Sequence, residues 1–181
     1  MNTIIALLRG INVGGKNKLP MRELTTILQG LGLANIQTYI QSGNVVFQTN
    51  RADLDELAAE IGTAVAQSHG FTPTVMLLEA RRLEEAVVAN PFPQGESKPK
   101  ALHFYFLETV PKAPDIAALE IIKTDREQFQ LINTVFYLYA PDGIGRSKLA
   151  AKVEKALGVR TTARNWRTVN QIMTMVEVSS T

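Results

Sequence analysis

The chain has 181 residues, of which 45% are hydrophobic and 20% charged, with a formal net charge of +2 and no cysteine. These proportions are those of an ordinary globular protein, and the missing cysteine excludes disulfides, thiolate metal sites and a cysteine nucleophile. No apolar run approaches the length of a membrane span, and the first, residues 4–8, lacks the flanks of a signal peptide. We therefore expect a cytoplasmic protein with no membrane partner.

The first 79 residues predict the element order β-α-β-β-α-β. Pro20 suits the first turn of a helix that Gly32 ends, and Asp53 suits the cap of a second helix that stops before Gly70. Apolar residues recur at helical spacing between these signals, and short apolar runs flank them. The predicted elements are strand 3–9, helix 20–31, strands 36–40 and 45–47, helix 53–69 and strand 74–78.

The element order starts again after a proline-rich polar segment. Its predicted elements are a short helix 80–89, strand 102–107, helix 115–122, strands 129–132 and 135–139, and helices 147–157 and 166–175. Such units predict an α+β protein with two tandem ferredoxin-like subdomains of the βαββαβ type, each an antiparallel sheet with helices on one face. We place the first subdomain at 1–90, a linker at 91–100, and the second subdomain at 101–181 with a C-terminal helix.

Charge is distributed unevenly along the chain. Residues 1–50 hold four basic residues against one acidic, a net of +3, and residues 141–181 hold seven against three, a net of +4. Residues 51–140 hold eight basic residues against thirteen acidic, a net of −5. If the two ends meet in space, they form a positive patch suited to an anionic partner. The alternative is a chance fluctuation in a chain of mixed charge.

The loop after the first strand, Gly10-Ile-Asn-Val-Gly-Gly-Lys-Asn17, fits the phosphate-binding pattern G-x-x-x-x-G-K up to its last position. There Asn17 stands where a P-loop needs Ser or Thr to ligate Mg²⁺. The next helix begins only at Pro20, and no later apolar strand ends in Asp, so the pattern argues against an NTPase. An anion held by loop amides with Lys16 is one interpretation, and a plain glycine-rich turn is the other.

A second polar motif, Gln41-Ser-Gly-Asn44, lies between two predicted strands. Gly43 and Asn44 tolerate positive φ, which is typical of a tight turn. Alternatively, Ser42 and Asn44 present hydrogen-bonding groups to a ligand. We expect this turn at the opposite end of the sheet from the loop at 10–17, unless a bulge lies in mid-sheet.

The densest polar region lies near the C-terminus. Gly143-Ile-Gly-Arg-Ser-Lys148 opens one predicted helix, and Arg160-Thr-Thr-Ala-Arg-Asn-Trp-Arg-Thr168 leads into another. Its arginines could bind phosphate or carboxylate through two-pronged hydrogen bonds, and Trp166 could stack on a base. The alternative makes Trp166 a core anchor, Asn165 a helix cap and the arginines a solvated face.

Signals for catalysis are weak. His69 and His103 are the only histidines; neither has a neighbouring carboxylate in sequence, and neither fits the spacing of a metal site. The sequence therefore leaves open whether the protein is an enzyme, and it calls for no cofactor and no metal.

Four blocks resemble the signature of an uncharacterised bacterial family catalogued as the domain of unknown function numbered sixteen ninety-seven. They are Arg9-Gly-Ile-Asn-Val-Gly-Gly15, Thr38-Tyr-Ile-Gln-Ser-Gly-Asn44, Ser147-Lys148 and Thr162-Ala-Arg-Asn-Trp-Arg-Thr168. The resemblance spans nearly the whole chain and implies an α+β fold of two ferredoxin-like subdomains. It implies no activity, because the family has none firmly assigned.

The function these observations favour is a module that binds a phosphate-bearing ligand, either a nucleotide or a nucleic acid, on a basic surface rich in Asn and Ser. The alternatives are an enzyme acting on a small anionic substrate and a structural or protein-interaction module. The predicted ligand-binding residues are Arg9, Asn12, Lys16, Asn17, Ser42, Asn44, Arg146, Ser147, Lys148, Arg164, Asn165 and Trp166.

Overall fold

The structure, a computed structural model, describes residues 1–179, which form two compact units. Unit 1 comprises Met1–Glu85 and the chain from Gln171 onward, and unit 2 comprises Ala86–Asn170. Unit 1 contains β1 (Asn2–Arg9), α1 (Met21–Gly30), β2 (Ala34–Tyr39), β3 (Asn44–Thr49), α2 (Leu54–His69) and β4 (Thr74–Glu79). The helix α3 (Ala80–Val88) follows.

Unit 2 contains β5 (Leu102–Leu107), α4 (Ile116–Ile122), β6 (Gln128–Ile132), β7 (Val135–Tyr139), α5 (Val153–Leu157) and β8 (Thr161–Asn165). The last helix, α6 (Trp166–Ser179), begins in unit 2, and its residues from Gln171 onward belong to unit 1. Two four-stranded antiparallel sheets and six helices among the described residues confirm the predicted α+β class with two ferredoxin-like subdomains. Among residues 1–179, no helix is long and apolar enough to cross a membrane.

The sheet of unit 1 has the strand order β2-β3-β1-β4, with every neighbour antiparallel. Leu7 pairs with Asn44, so the end of β1 lies beside the start of β3. This register decides which loops are neighbours, because the turn between β2 and β3 then lies next to the loop that leaves β1.

Helices α1 and α2 cover one face of this sheet. The core on that face includes Ile4, Phe47, Leu28 and Ile61, each no more than 1% exposed. The predicted helix signals act as expected at α2, where the Asp53 side chain accepts a hydrogen bond from the amide of Glu56 at 2.9 Å. Pro20 precedes α1 without a side-chain cap, as suits a proline that supplies only its fixed φ.

The opposite face of the same sheet is also buried. Ile5, Val46 and Leu78 are no more than 1% exposed, and Gln37 is paired with Val46 on that face. The end of α6 is fixed there, because the Gln37 amide donates to the Ser179 hydroxyl at 2.8 Å and the Gln48 amide donates to the Ser179 carbonyl at 2.7 Å. Residues far apart in the sequence therefore complete unit 1.

Unit 2 repeats the strand order as β6-β7-β5-β8. On one face, Leu107, Phe136 and Leu138 pack with Leu119 of α4 and with α5 to form the core. On the other face Phe104 and Tyr137 are buried, with ring centroids 4.8 Å apart.

Candidate functional site

The twelve predicted ligand-binding residues divide between the two units. Unit 1 holds Arg9, Asn12, Lys16, Asn17, Ser42 and Asn44, and unit 2 holds Arg146, Ser147, Lys148, Arg164, Asn165 and Trp166. That the two groups form one surface stays a prediction.

The Asn12 side chain holds the loop between β1 and α1 in place through three hydrogen bonds, which we call the Asn12 clamp. Its side-chain amide donates to the carbonyl of Leu19 at 2.9 Å and to the carbonyl of Gln41 at 2.7 Å. Its side-chain oxygen accepts from the amide of Leu19 at 2.8 Å. Asn17 adds a bond from its own side chain to the carbonyl of Gly10 at 2.8 Å. Both asparagines have φ near +51°, a conformation that Asn tolerates better than most residues.

The glycine pair inside this loop forms a small hairpin. Val13 and Lys16 form an isolated bridge, and the Lys16 amide donates to the Val13 carbonyl at 3.0 Å. Gly14 and Gly15 both have positive φ, as the two central residues of a type I′ turn require. In a P-loop the amides instead surround a phosphate at the start of a helix. Here the Lys16 amide is used within the turn and α1 begins at Met21, so the local geometry favours the turn interpretation.

The β2–β3 turn touches this loop, and the expectation that the two lie at opposite ends of the sheet is wrong. Besides the bond from Asn12 to Gln41, the Leu8 amide donates to the Gly43 carbonyl at 2.8 Å. The cause is the antiparallel pairing of β1 with β3, which brings the end of one strand to the start of the other.

Gly43 is required at this junction. It has φ +74°, and a Cβ added to it would lie 2.7 Å from both Leu8 Cβ and Ile11 Cδ1. Next to it, Asn44 is completely buried, and its side-chain amide donates to the Tyr39 carbonyl at 3.1 Å and to the Ser42 hydroxyl at 3.0 Å. The asparagines of unit 1 therefore hold a loop and a turn together. Lys16 is exposed beside them.

In unit 2, two of the predicted ligand-binding groups cap helical turns. The Ser147 hydroxyl accepts a hydrogen bond from the amide of Ala150 at 2.9 Å. The Asn165 side chain accepts from the amide of Thr168 at 3.0 Å at the start of α6. Both contacts satisfy amides that the first turn of a helix leaves without a backbone partner.

Arg164 and Trp166 lie near Phe104, on the face of the unit 2 sheet where Phe104 and Tyr137 are buried. Arg164 pairs with Phe104 across the strands, and burial lowers the pKa of its guanidinium to about 10. The Trp166 ring lies 5.7 Å from the Phe104 ring at an interplanar angle of 37°. Trp166 is only partly buried, so it both anchors the start of α6 and keeps an edge near solvent.

A groove in unit 2 gathers basic residues that are not among the twelve predicted ligand-binding residues, although Arg167 belongs to the motif 160–168 whose arginines the sequence marked as possible phosphate ligands. Lys98, Lys100 and Arg167 line it, together with Pro99, Ala101, Ala140, Pro141 and Gly143, around a volume of about 370 Å³. We call it the basic groove. Two hydrogen bonds fix its walls, from the Ala101 amide to the Lys98 carbonyl and from the Ala140 amide to the Ala101 carbonyl, both at 2.8 Å.

The positive charge of the basic groove has no acidic partner in the part of the chain that the structure describes. Among residues 1–179, none of Lys98, Lys100 and Arg167 has an acidic side chain within 4.0 Å. The acidic neighbours in the sequence have other partners, since Asp142 bonds Arg126 at 2.6 Å and Glu96 accepts from Asn90 at 3.0 Å. Sequence reasoning assigned the two lysines to the linker, and the signal that could have identified them is the run Lys98-Pro-Lys100 itself.

Neither histidine forms a recognisable catalytic arrangement. His69 bonds Glu23 at 2.7 Å and so joins α2 to α1. His103 is buried in β5, and burial lowers the pKa of its imidazole. Within the described part of the chain, no three His, Cys, Asp or Glu side chains are close enough to hold a metal ion.

Comparison with known proteins gives a family and a fold. The family model described as "Protein of unknown function (DUF1697)" matches residues 1–137, in agreement with the resemblance noted in the sequence. The solved structure of a conserved bacterial protein from Streptococcus pneumoniae is 27% identical, with a TM-score of 0.71 over 97% of this chain and 98% of that one. No curated protein matches the sequence.

Proposed function

The chain belongs to the DUF1697 family of proteins of unknown function, and we propose that it binds a phosphate-bearing ligand through the basic groove of unit 2. The observation that carries this proposal is the set of three cations that line one groove without an acidic partner among the described residues. Three like charges that share a groove repel one another, and a phosphate group relieves that repulsion.

The three cations differ in what they offer a phosphate. Arg167 can form a planar, two-pronged pair with two phosphate oxygens, whereas each lysine acts as a mobile point charge. The groove is open and its remaining lining residues are small, so the phosphate can belong to a nucleotide or to a nucleic-acid backbone. Trp166, the only tryptophan of the chain, precedes Arg167 in α6, so its fluorescence reports on the segment that carries Arg167, although Trp166 does not itself line the groove.

The test uses the fluorescence of Trp166 in titrations with pyrophosphate, ATP and a short oligonucleotide at low and high salt. We expect saturable binding that Arg167→Ala weakens roughly tenfold, because a charge-assisted hydrogen bond contributes about 1.5–3 kcal/mol. Lys112→Ala is the matched control, since Lys112 is also exposed in unit 2 but does not line the groove.

The salt dependence separates the two ligand sources. Nucleic-acid binding weakens steeply with salt in proportion to the phosphates contacted, whereas a single nucleotide responds less. A calorimetric titration with no saturable heat for any of the three ligands at low salt would remove the proposal.

We also propose that the protein works in a bacterial cytoplasm. Its similarity to a bacterial protein of almost the same length supports a bacterial origin. The chain has no cysteine and so can form no disulfide, which fits the reducing cytoplasm.

A further inference from the structure

A second cleft of unit 2 lies between α4 and the region of α5. It has a volume of about 310 Å³, and none of its lining residues lines the basic groove. Its apolar surface comes from Ala118, Ile122 and Ala156, which are all partly exposed. A volume of this size lies at the lower end of the range of roughly 300–1,000 Å³ that is typical of small-molecule pockets.

The walls of this cleft are held in place. The amide of Asp115 donates to the carbonyl of Ala156 at 2.8 Å, which ties the start of α4 to α5. The carboxylate of Asp115 accepts from the amide of Ala118 at 3.0 Å and caps α4. Leu119 is fully buried in the core and forms the floor. The cleft therefore exists without a ligand to shape it.

Two lysines give the rim of the cleft its charge. Lys152 and Lys155 line the cleft and are exposed, and no acidic side chain of residues 1–179 lies within 4.0 Å of either. The other acidic groups on these helices are engaged, because Glu120 pairs with Lys123 at 2.7 Å and Glu154 accepts from the amide of Thr161 at 2.9 Å. Asp115 also lines the cleft, but its carboxylate serves as the cap of α4.

The corresponding helices of unit 1 show that such a cleft is not a necessary feature of the fold. There α2 has 16 residues, and His69 near its end bonds Glu23 of α1. In unit 2 the equivalent helix α5 has 5 residues. The shorter helix leaves apolar surface of α4 uncovered where unit 1 has a bridging contact.

We infer that the cleft between α4 and α5 binds a small amphipathic carboxylate, with its alkyl chain on Ala118 and Ile122 and its carboxylate at Lys152 and Lys155. The apolar walls supply the hydrophobic contribution and the two lysines supply the charge complementarity. A nucleotide fits less well, because no aromatic side chain lines the cleft to stack on a base.

The probe for this inference is octanoate, titrated into the full chain by calorimetry, with octan-1-ol as the uncharged ligand of equal chain length. We expect octanoate to bind, and the double variant Lys152→Ser/Lys155→Ser to weaken its binding roughly tenfold while octan-1-ol binding stays unchanged. Ala156→Phe fills the cleft and abolishes the binding of both ligands. Lys112→Ser, outside the cleft, leaves both affinities as they are.

Three outcomes would overturn the inference. They are no octanoate binding to the wild-type chain, octanoate binding that the double lysine variant does not weaken, and octan-1-ol binding that the double lysine variant weakens as much as it weakens octanoate binding. The lysine variants change exposed side chains, so they remain informative even where Ala156→Phe does not fold. The phosphate titration of the basic groove is independent, because the two sites share no residue.

Discussion

The two units have the same strand order and differ in what their loops and helices leave exposed. At the same point in each sheet, the first strand bonds the turn between the next two strands: the Leu8 amide to the Gly43 carbonyl at 2.8 Å, and the Leu107 amide to the Thr134 carbonyl at 2.9 Å. Unit 1 adds the Asn12 clamp to this junction. In unit 2 a two-residue turn, Asn133-Thr134, suffices.

This comparison shows that similar polar residues serve different purposes. The asparagines of unit 1 have their amide groups committed to backbone carbonyls and build a rigid junction. In unit 2, Ser147 and Asn165 cap helical turns, and the cations line an open groove. This difference between structural asparagines and groove cations predicts that substitutions in unit 1 change stability and that substitutions in unit 2 change ligand affinity.

The largest effect should come from Gly43→Ala in unit 1. The new Cβ would clash with Leu8 and Ile11 and would also sit at φ +74°, so we expect a loss of about 3–4 kcal/mol in the free energy of unfolding. Gly145→Ala of unit 2 is the matched control, because its Cβ would meet open space at an ordinary φ. Urea unfolding followed by circular dichroism measures the stability of both variants. Equal losses of stability in the two would contradict the difference between the units.

The next effect concerns the Asn12 clamp. Asn12→Ala removes three hydrogen bonds and should cost about 2–3 kcal/mol, whereas Asn17→Ala removes one and should cost about 1 kcal/mol. Both residues have φ +51°, so the backbone penalty is the same in the two variants. A cost for Asn12→Ala no greater than that for Asn17→Ala would show that the clamp adds nothing.

Tyr137 predicts a pH effect on unit 2. Its hydroxyl donates to the Ala86 carbonyl at 2.7 Å, and burial raises the pKa of its phenol to about 12. Because the unfolded phenol titrates near 10, the stability from the neutral form is present below pH 10 and is lost as the pH rises from 10 to 12. Across that interval, the wild type should lose about 2 kcal/mol more than Tyr137→Phe. Parallel curves of unfolding free energy against pH for the wild type and Tyr137→Phe would contradict this prediction. Tyr39→Phe is the control variant.

The smallest effect separates the two groups of lysines. Lys98→Ala/Lys100→Ala should weaken phosphate binding roughly tenfold, about 1.4 kcal/mol, because it removes two of the three cations of the basic groove. Lys16→Ala/Lys18→Ala in unit 1 should change affinity less than about twofold. Equal losses in the Trp166 fluorescence titration would contradict the assignment of the phosphate to the basic groove alone.

Local signals in the sequence were enough to predict most of the fold. Pro20, Asp53 and Gly70 mark helix ends because their effects depend on the nearest four residues. Short apolar runs between turn signals likewise predicted strands, since such runs suit strands that are buried on both faces. The cap at Asn165 also agrees with one of the two interpretations that the sequence allowed for this residue.

The sequence alone therefore determined most of the elements, their order and the α+β class, because each of these depends on short-range periodicity and caps. It missed β8 (Thr161–Asn165), since a polar strand lacks the apolar run that signals one, and of the helix expected over 147–157 only α5 (Val153–Leu157) is an α-helix. The tertiary structure decided which loops meet. Pairing of β1 with β3 brought Asn12 to Gln41, and pairing of Ala101 with Ala140 put Lys98 and Lys100 in one groove with Arg167. No local pattern encodes these contacts, because they depend on strand register across residues that are far apart in the chain.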